Sequence, residues 1–261
     1  MLRFASLGSG SKGNCLVAEA GATRALIDCG LKLRDTEQRL ARLGLAAGDI
    51  SAILVTHEHG DHAGCAFDFA AAHSVSLYLT YGTLSALKDE GKVLEGVKTV
   101  LIDSKKTLPV GDLEVQPFTV PHDAREPVQF VISDGVSKLG VLTDIGASTA
   151  HVEETLSGLD ALVLECNYDA DMLWGGAYPQ WLKQRIAGPF GHLDNLQSER
   201  LLRALDRSRL KHIIAAHLSQ QNNRPDLARS AGAGDGLRGK LDQPRHPGRR
   251  LRLARAGLIS L

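Results

Sequence analysis

The sequence is poor in aromatic residues: Phe, Trp and Tyr make up 5% of its 261 positions. No RNA-recognition signature and no regular series of stacking rings stands out, which argues against sequence-specific readout of a nucleic acid. Cysteine is sparse as well. Cys15, Cys29, Cys65 and Cys166 lie far apart and form no CxxC pair, so neither a zinc knuckle nor a disulfide framework is expected, and reduced thiols fit best. Net charge is missing too: the formal value is +0, which gives no overall field to attract a polyanion. The balance is uneven, with nine Lys/Arg against three Asp/Glu from Arg224 onward, and this reads as a solvated basic end before it reads as a binding tail. The opening Met1-Leu2-Arg3-Phe4-Ala5-Ser6 lacks the about 7 to 15 apolar residues of a signal core, and no apolar stretch reaches the ~18 needed to cross a membrane. A cytoplasmic location and no membrane partner are therefore expected.

What is present fits a folded globular protein. Hydrophobic residues at 43% and charged residues at 23% lie near the averages for that class, and the length suits one domain. Short apolar runs recur and stop abruptly at polar residues. Leu16-Val17-Ala18 and Ala25-Leu26-Ile27 read as a hairpin whose second strand ends at Asp28. Ala52–Val55 runs into Thr56-His57, Leu113–Val120 into Pro121-His122, Leu139–Leu142 into Thr143-Asp144, Ala161–Leu164 into Glu165, and His212–Ala216 into His217. Helical spacing is expected at 35–43, 63–72, 83–90 and 194–205. Residues 230–261 lose this rhythm and read as loop-rich.

The glycine-rich opening Gly8-Ser9-Gly10-Ser11-Lys12-Gly13 has the spacing of a dinucleotide fingerprint, but Asn14-Cys15-Leu16-Val17 reads as a strand where that motif needs a helix. It is taken as a tight turn between strands, with Ser11 or Asn14 near a substrate. The run His57-Glu58-His59-Gly60-Asp61-His62 is different. A lone His is commonly a core or surface residue, but three His and one Asp within six residues, straight after an apolar strand, are hard to explain by packing. His57 and His59 can grip one metal, while Asp61 and His62 can face a second. His122 completes the first set, Asp144 bridges both ions, and His217 closes the second; each alone has an equal reading as a surface residue at a strand end. Two divalent ions per chain are expected, Zn²⁺ first, with Mn²⁺ and Fe²⁺ accepting the same ligands. Metals ~3.5 to 4 Å apart can hold a bridging hydroxide between them. Glu58 has the wrong parity to be a ligand, and Asp28 is the candidate for orienting a ligand imidazole.

Together His57, His59, Asp61, His62, His122, Asp144 and His217 resemble the metal-ligand series of the metallo-β-lactamase fold superfamily. The segments Ser6–Cys15, Leu162–Asn167, Gly191-His192-Leu193 and His217-Leu218-Ser219 resemble its YycJ/WalJ-type, exonuclease-like branch, from residue 1 to about 229. The resemblance implies an α/β fold, a four-layer αββα sandwich with the dinuclear site at one edge. It also implies a phosphodiesterase acting on nucleic acid, a DNA exonuclease preferring single strands. Residues 1–229 would form the hydrolase domain, with the Gly/Arg-rich 230–261 completing it or appended to it. The family carries a strand and a helix where that stretch stands, so a shifted reading frame over part of it is one hypothesis, tested by resequencing the source gene.

For a phosphodiester, Asp61 is expected to orient or deprotonate the nucleophile beside its ligand role. His192 is the candidate acid for the leaving oxygen, or simply a helix-entry residue. Phosphate contacts are expected from Ser11, Lys12 and Asn14, or from Lys183 or Arg185, although surface solvation is the plainer reading of each cation; Asn222 and Asn223 could line the site. The rival reading is a small-molecule hydrolase opening a thioester, lactone or lactam with the same metals. A binding protein with a closed structural metal site is disfavoured, because the ligands exceed the about four such a site needs.

Overall fold

The computed structural model describes residues 1–92, 96–233, 241–242 and 254–255. Why the chain makes strands is visible in its burial. In Leu113–Thr119 the apolar Leu113 and Val115 are buried while Glu114 and Gln116 are exposed, the period of a strand with one wet face. Cys15–Ala20, Val128–Ser133 and Ala161–Glu165 are buried at every position, as strands covered on both faces must be.

Among the described residues the strands form two seven-stranded mixed sheets. In the first, β1 (Arg3–Gly8), β2 (Cys15–Ala20) and β3 (Thr23–Ile27) run antiparallel, then β4 (Ala52–Leu54), β5 (Ser76–Leu79) and β6 (Thr99–Leu101) continue parallel to β3. In the second, β7 (Leu108–Val110), β8 (Leu113–Thr119), β9 (Val128–Ser133) and β10 (Lys138–Leu142) are antiparallel, and β11 (Ala161–Glu165) and β12 (His212–Ala216) add parallel to β10. Short β13 (Leu241–Asp242) pairs with β12, and β14 (Ala254–Arg255) pairs with β1.

The sheets face each other across a core that includes Phe4, Ile27, Leu54, Val115, Phe130, Val141 and Val163. Each such side chain contributes about 1.5–3 kcal/mol through burial. On the outer face of the first sheet lie α1 (Leu33–Arg42), α2 (Gly60–Ala63), α3 (Ala66–His73) and α4 (Tyr81–Asp89), which share a second core. The outer face of the second sheet carries α5 (Ala150–Thr155) and α8 (Asn195–Ala204) around a third. The result is the expected αββα sandwich. Helix α8 starts where its sequence says it should: Asp194 accepts from Gln197 N at 2.6 Å, and Gln197 Oε1 accepts from Asp194 N at 2.9 Å, a reciprocal cap.

The expected hairpin is β2–β3, and the glycine-rich opening is the turn between β1 and β2. The four expected helices correspond to α1, α3, α4 and α8 within about three residues. Short α6 (Ala170–Gly175) and α7 (Gln180–Ile186), between β11 and α8, had no helical reading, and α9 (Pro225–Ala233) spans the expected boundary at 229. Of the stretch 230–261, the described residues are the end of α9 and the two edge strands β13 and β14; the rest of the loop-rich reading lies outside the described residues. Because β3, β4, β8, β10, β11 and β12 all point the same way within their sheets, their C-terminal ends gather at one edge.

Candidate metal centre

Six of these strands deliver polar residues to that edge: Asp28 after β3, His57 after β4, His122 after β8, Asp144 after β10, Glu165 at the end of β11 and His217 after β12. The His57–His62 turn is clamped from below. Asn14 N donates to Asp61 O at 2.7 Å, Cys29 N to His62 O at 2.8 Å, and Cys65 N to Cys29 O at 2.9 Å. Gly30 is required here, because a Cβ would collide with the Asp61 carbonyl.

Most of the imidazoles have one nitrogen held from outside. Asp28 accepts from Thr56 N at 2.8 Å and lies 2.7 Å from His62 Nδ1, which leaves His62 Nε2 facing Asp144 Oδ2 at 3.0 Å. Thr56 Oγ1 meets His57 Nδ1 at 2.9 Å, and His57 Nε2 is buried without a hydrogen-bond partner. His122 Nδ1 is bonded to Gly191 O at 3.1 Å, and its Nε2 lies 3.4 Å from His59 Nδ1. One nitrogen anchored and the other turned inward is the arrangement that orients metal-binding histidines.

The inward atoms form overlapping clusters, each with its atoms within 4.8 Å of one another: His57, His59 and His122; Asp61, His62 and His217; His57, His62 and Asp144; and Asp144, Glu165, His192 and His217. Asp144 sits between them. Its Oδ1 lies 3.1 Å from His217 Nδ1 and 3.8 Å from His122 Nε2. Asp61 Oδ2 lies 3.4 Å from His217 Nε2 and 3.6 Å from His62 Nε2.

The electrostatics follow from this crowding. Burial lowers the basicity of His57, helped by the nearby His62, so its ring is neutral with a free lone pair. Burial would also push His62 down, but the carboxylates of Asp144 and Asp28 outweigh it and raise His62 to about 10. His217 is raised for the same reason by Asp144, Asp61 and Glu165. Burial opposes ionisation of Asp144, yet His217 and His62 hold it well below the usual carboxylate range. The orphaned His57 Nε2, the buried Asp144 Oδ2 that meets His62 Nε2 only as an ion pair without an aligned hydrogen bond, and a donor set of imidazoles and carboxylates fit a divalent cation.

The other anticipated residues divide between those that reach this centre and those engaged elsewhere. His192 Nδ1 lies 2.7 Å from Glu165 Oε1, and its ring centroid is 5.3 Å from that of His122. Asn14 turns inward: Nδ2 lies 2.9 Å from His62 Nε2 and 3.2 Å from Asp61 Oδ2. Ser11 and Lys12 are exposed on the turn before it. Asn222 is buried, with its carbonyl accepting from Asp169 N at 2.8 Å. The Asn223 amide is taken up by the carbonyls of Cys166 and Asn167 and by Asn195. Lys183 is buried with its ammonium on Trp174 O and Gly176 O, which removes it from the phosphate contacts. Arg185 is exposed and binds Asp123 Oδ2 at 2.7 Å. Glu58 Oε1 accepts from Arg125 N at 2.6 Å and joins none of the clusters, as its parity implies.

Sequence reasoning missed Glu165 as part of the centre. Fully buried, it also accepts from Ile145 N at 3.0 Å and approaches His217 Nδ1 at 3.2 Å. The signal was present: an acid ending an apolar strand, as Asp144 does one strand away. Ser9, which accepts from His217 N at 2.6 Å, and Asp123, 3.5 Å from His122 Nε2, gave no such signal.

Comparison with known proteins places this site in context. Residues 23–218 match the family model described as beta-lactamase superfamily domain. The chain is 35% identical over 230 residues to exodeoxyribonuclease YycJ of Bacillus anthracis, covering 87% of this chain and 86% of that protein. It is 33% identical to exodeoxyribonuclease WalJ of Streptococcus pneumoniae, covering 87% and 85%. In three dimensions it is similar to the metallo-beta-lactamase fold protein YhfI from Bacillus subtilis, with a TM-score of 0.72 at 16% identity over 93% of this chain and 96% of that one.

Proposed function

The chain belongs to the beta-lactamase superfamily, in the branch that includes YycJ and WalJ, and from that premise we infer that it is a two-metal phosphodiesterase degrading DNA as a single-strand-preferring exonuclease in the cytoplasm. The observation that carries the reading is Asp144, whose carboxylate reaches histidines of two clusters, His122 on one side and His62 and His217 on the other. His57, His59 and His122 would hold one ion, Asp61, His62 and His217 the other, with Asp144 shared, and Zn²⁺ suits both sets. When bound, the pair supplies Lewis acidity at the phosphate and a hydroxide nucleophile near neutral pH.

The residues of the chain supply the rest. Asp28, through His62, and Thr56, through His57, fix the rings so that each turns one nitrogen inward. Asp61, steadied by the Asn14 amide, orients the attacking group and can accept its proton. Glu165 holds His192 Nδ1, which leaves Nε2 to protonate the leaving 3′ or 5′ oxygen. Ser11, exposed on the β1–β2 turn, offers a hydroxyl to the phosphate. Asn14 shapes the site from within through His62 and Asp61, Asn222 would reach the substrate from the loop after His217, and of 230–261 the described strands β13 and β14 extend the two sheets.

One comparison tests the reading. The purified protein is assayed for metal content and for turnover of 5′-labelled single-stranded DNA, double-stranded DNA, RNA and a thioester, with Asp61→Ala as control. Cleavage of single-stranded DNA fastest, lost in Asp61→Ala, is the expected result; thioester cleavage without nucleic-acid cleavage would overturn it in favour of a small-molecule hydrolase.

A further inference from the structure

Both tryptophans of the chain stand on its surface. Trp181 is 63% exposed, Trp174 47% and the nearby Phe190 58%. Tryptophan is highly buried on average in folded proteins, yet all three rings fall on the β11–α8 connection that carries His192.

The loop that presents Phe190 is held tightly. A Cβ on Gly146, two residues past Asp144, would collide with the backbone of Pro189 and Gly191, and one on Gly191 would collide with the carbonyls of Arg185 and Ile186. Gly191 N donates to Gly188 O at 2.9 Å, His192 N to Ile186 O at 2.8 Å, and Gly191 O is bonded to His122 Nδ1. The exposed ring thus sits on fixed backbone two residues before His192.

On α7, Trp181 and Arg185 are four residues apart, so they share a face and are separated by about 6 Å along the axis. Arg185 binds Asp123, whose Oδ1 lies 3.5 Å from His122 Nε2 and 3.8 Å from His59 Nε2. A continuous path of contacts therefore leads from the metal centre to the Trp181 face.

We propose that Trp181 and Phe190 are stacking platforms for the unpaired bases of a DNA single strand whose scissile phosphate lies at the metal centre, with Arg185 as a cation for the adjoining backbone. The proposal rests on the nuclease reading above and gives it a physical source of strand preference. Every base has a π-face, so two or three rings grip any sequence, whereas a duplex keeps those faces stacked inside. Arg185 can serve although it is paired: an exposed ion pair is worth only about 0–1 kcal/mol, so a phosphate can displace Asp123 from it. The 5% aromatic content is compatible with this, because three of the exposed rings, Trp174, Trp181 and Phe190, share the one connection that carries His192.

The test uses the full-length metal-loaded protein with Trp181→Ala, Phe190→Ala and the double variant, all at exposed positions. KM is measured for a short 5′-labelled single strand and for an abasic strand of equal length, which keeps the phosphates and lacks the bases. The wild type is expected to favour the intact strand by at least about fivefold in KM for each ring engaged, and each substitution should shrink that ratio. In a Trp174→Phe background, the intact strand should quench Trp181 fluorescence and the abasic strand should not. Equal KM for both strands in the wild type, or an unchanged ratio in the double variant, overturns the proposal while DNA cleavage itself leaves the nuclease reading standing. Absence of any DNA cleavage removes both. A Trp181→Ala protein that turns from oligomer to monomer in light scattering with the ratio intact would assign this face to a second copy of the chain, and would also overturn it.

Discussion

The two ends of the second sheet treat buried charge in opposite ways. At the N-terminal end, Asp160 stands before β11 with 2% of its surface exposed, and its carboxylate accepts from Lys138 N at 3.0 Å, Arg209 Nη2 at 2.9 Å and Lys211 Nζ at 3.2 Å. Burial opposes its ionisation, but those donors outweigh it and hold the carboxyl below its usual range. At the C-terminal end of the same strands, Asp144, Glu165 and His217 crowd against further histidines; His57 Nε2 is left without a hydrogen bond, and Asp144 Oδ2 faces His62 Nε2 at 3.0 Å without an aligned one. A buried charge met by the chain's own donors serves stability. One left for a cation from outside serves chemistry.

The largest effect should come from the unsatisfied end. Asp144→Ala is expected to lose bound metal and to slow DNA hydrolysis by about three orders of magnitude or more, since several kcal/mol of transition-state stabilisation go with it. Elemental analysis and initial rates check this, and full metal content at a near-normal rate would break the comparison. Next, His192→Ala should cut kcat by about 10²-fold while metal content stays unchanged; an unaltered kcat on a DNA strand would remove its proposed role as acid. Asp28→Asn leaves every ligand in place but loosens the His62 ring, so chelator competition should show metal affinity about 10- to 100-fold weaker.

The smallest effect belongs to the satisfied end. Asp160→Asn should leave turnover alone and cost about 1–2 kcal/mol of stability at neutral pH, the charged hydrogen bonds being discounted for their exposed Lys and Arg partners. The sign follows from linkage. Because the folded carboxyl is depressed, its stabilisation is present above the unfolded value of about 3.9 and is lost as pH falls through the folded one. The gap between wild type and variant in denaturation should therefore narrow as pH falls below about 3.9; a gap that does not change with pH would show that the loss is one of packing.

How legible each part was depends on where its information sits in the chain. The His57–His62 run compresses one strand end into six consecutive residues, so sequence exposes it directly. His122, Asp144 and His217 could be found because each follows an apolar strand. Glu165 has the same position but falls outside the ligand series the resemblance supplied, and its partners His192 and His217 are 27 and 52 residues away. Helices α6 and α7 escaped because six or seven residues give too few turns for a helical period to stand out. The surface grouping of Trp174, Trp181 and Phe190 was invisible for another reason: exposure of a large ring is set by tertiary packing, and spacing alone carries no trace of it.

Asp28 and His217 carry φ values of 61° and 52°, a left-handed backbone that side chains other than glycine adopt reluctantly. Glycine at either position would relax the backbone by about 1 kcal/mol, but it would strip Thr56 N and His62 of Asp28, or Asp144 and Glu165 of His217, at about 1–3 kcal/mol for each buried group left unsatisfied. A programme of thermostabilisation guided by backbone angles alone would be drawn to these two positions early, and glycine there would lose both heat resistance and activity. Any engineered descendant of this chain should keep both residues fixed before its other turns are optimised.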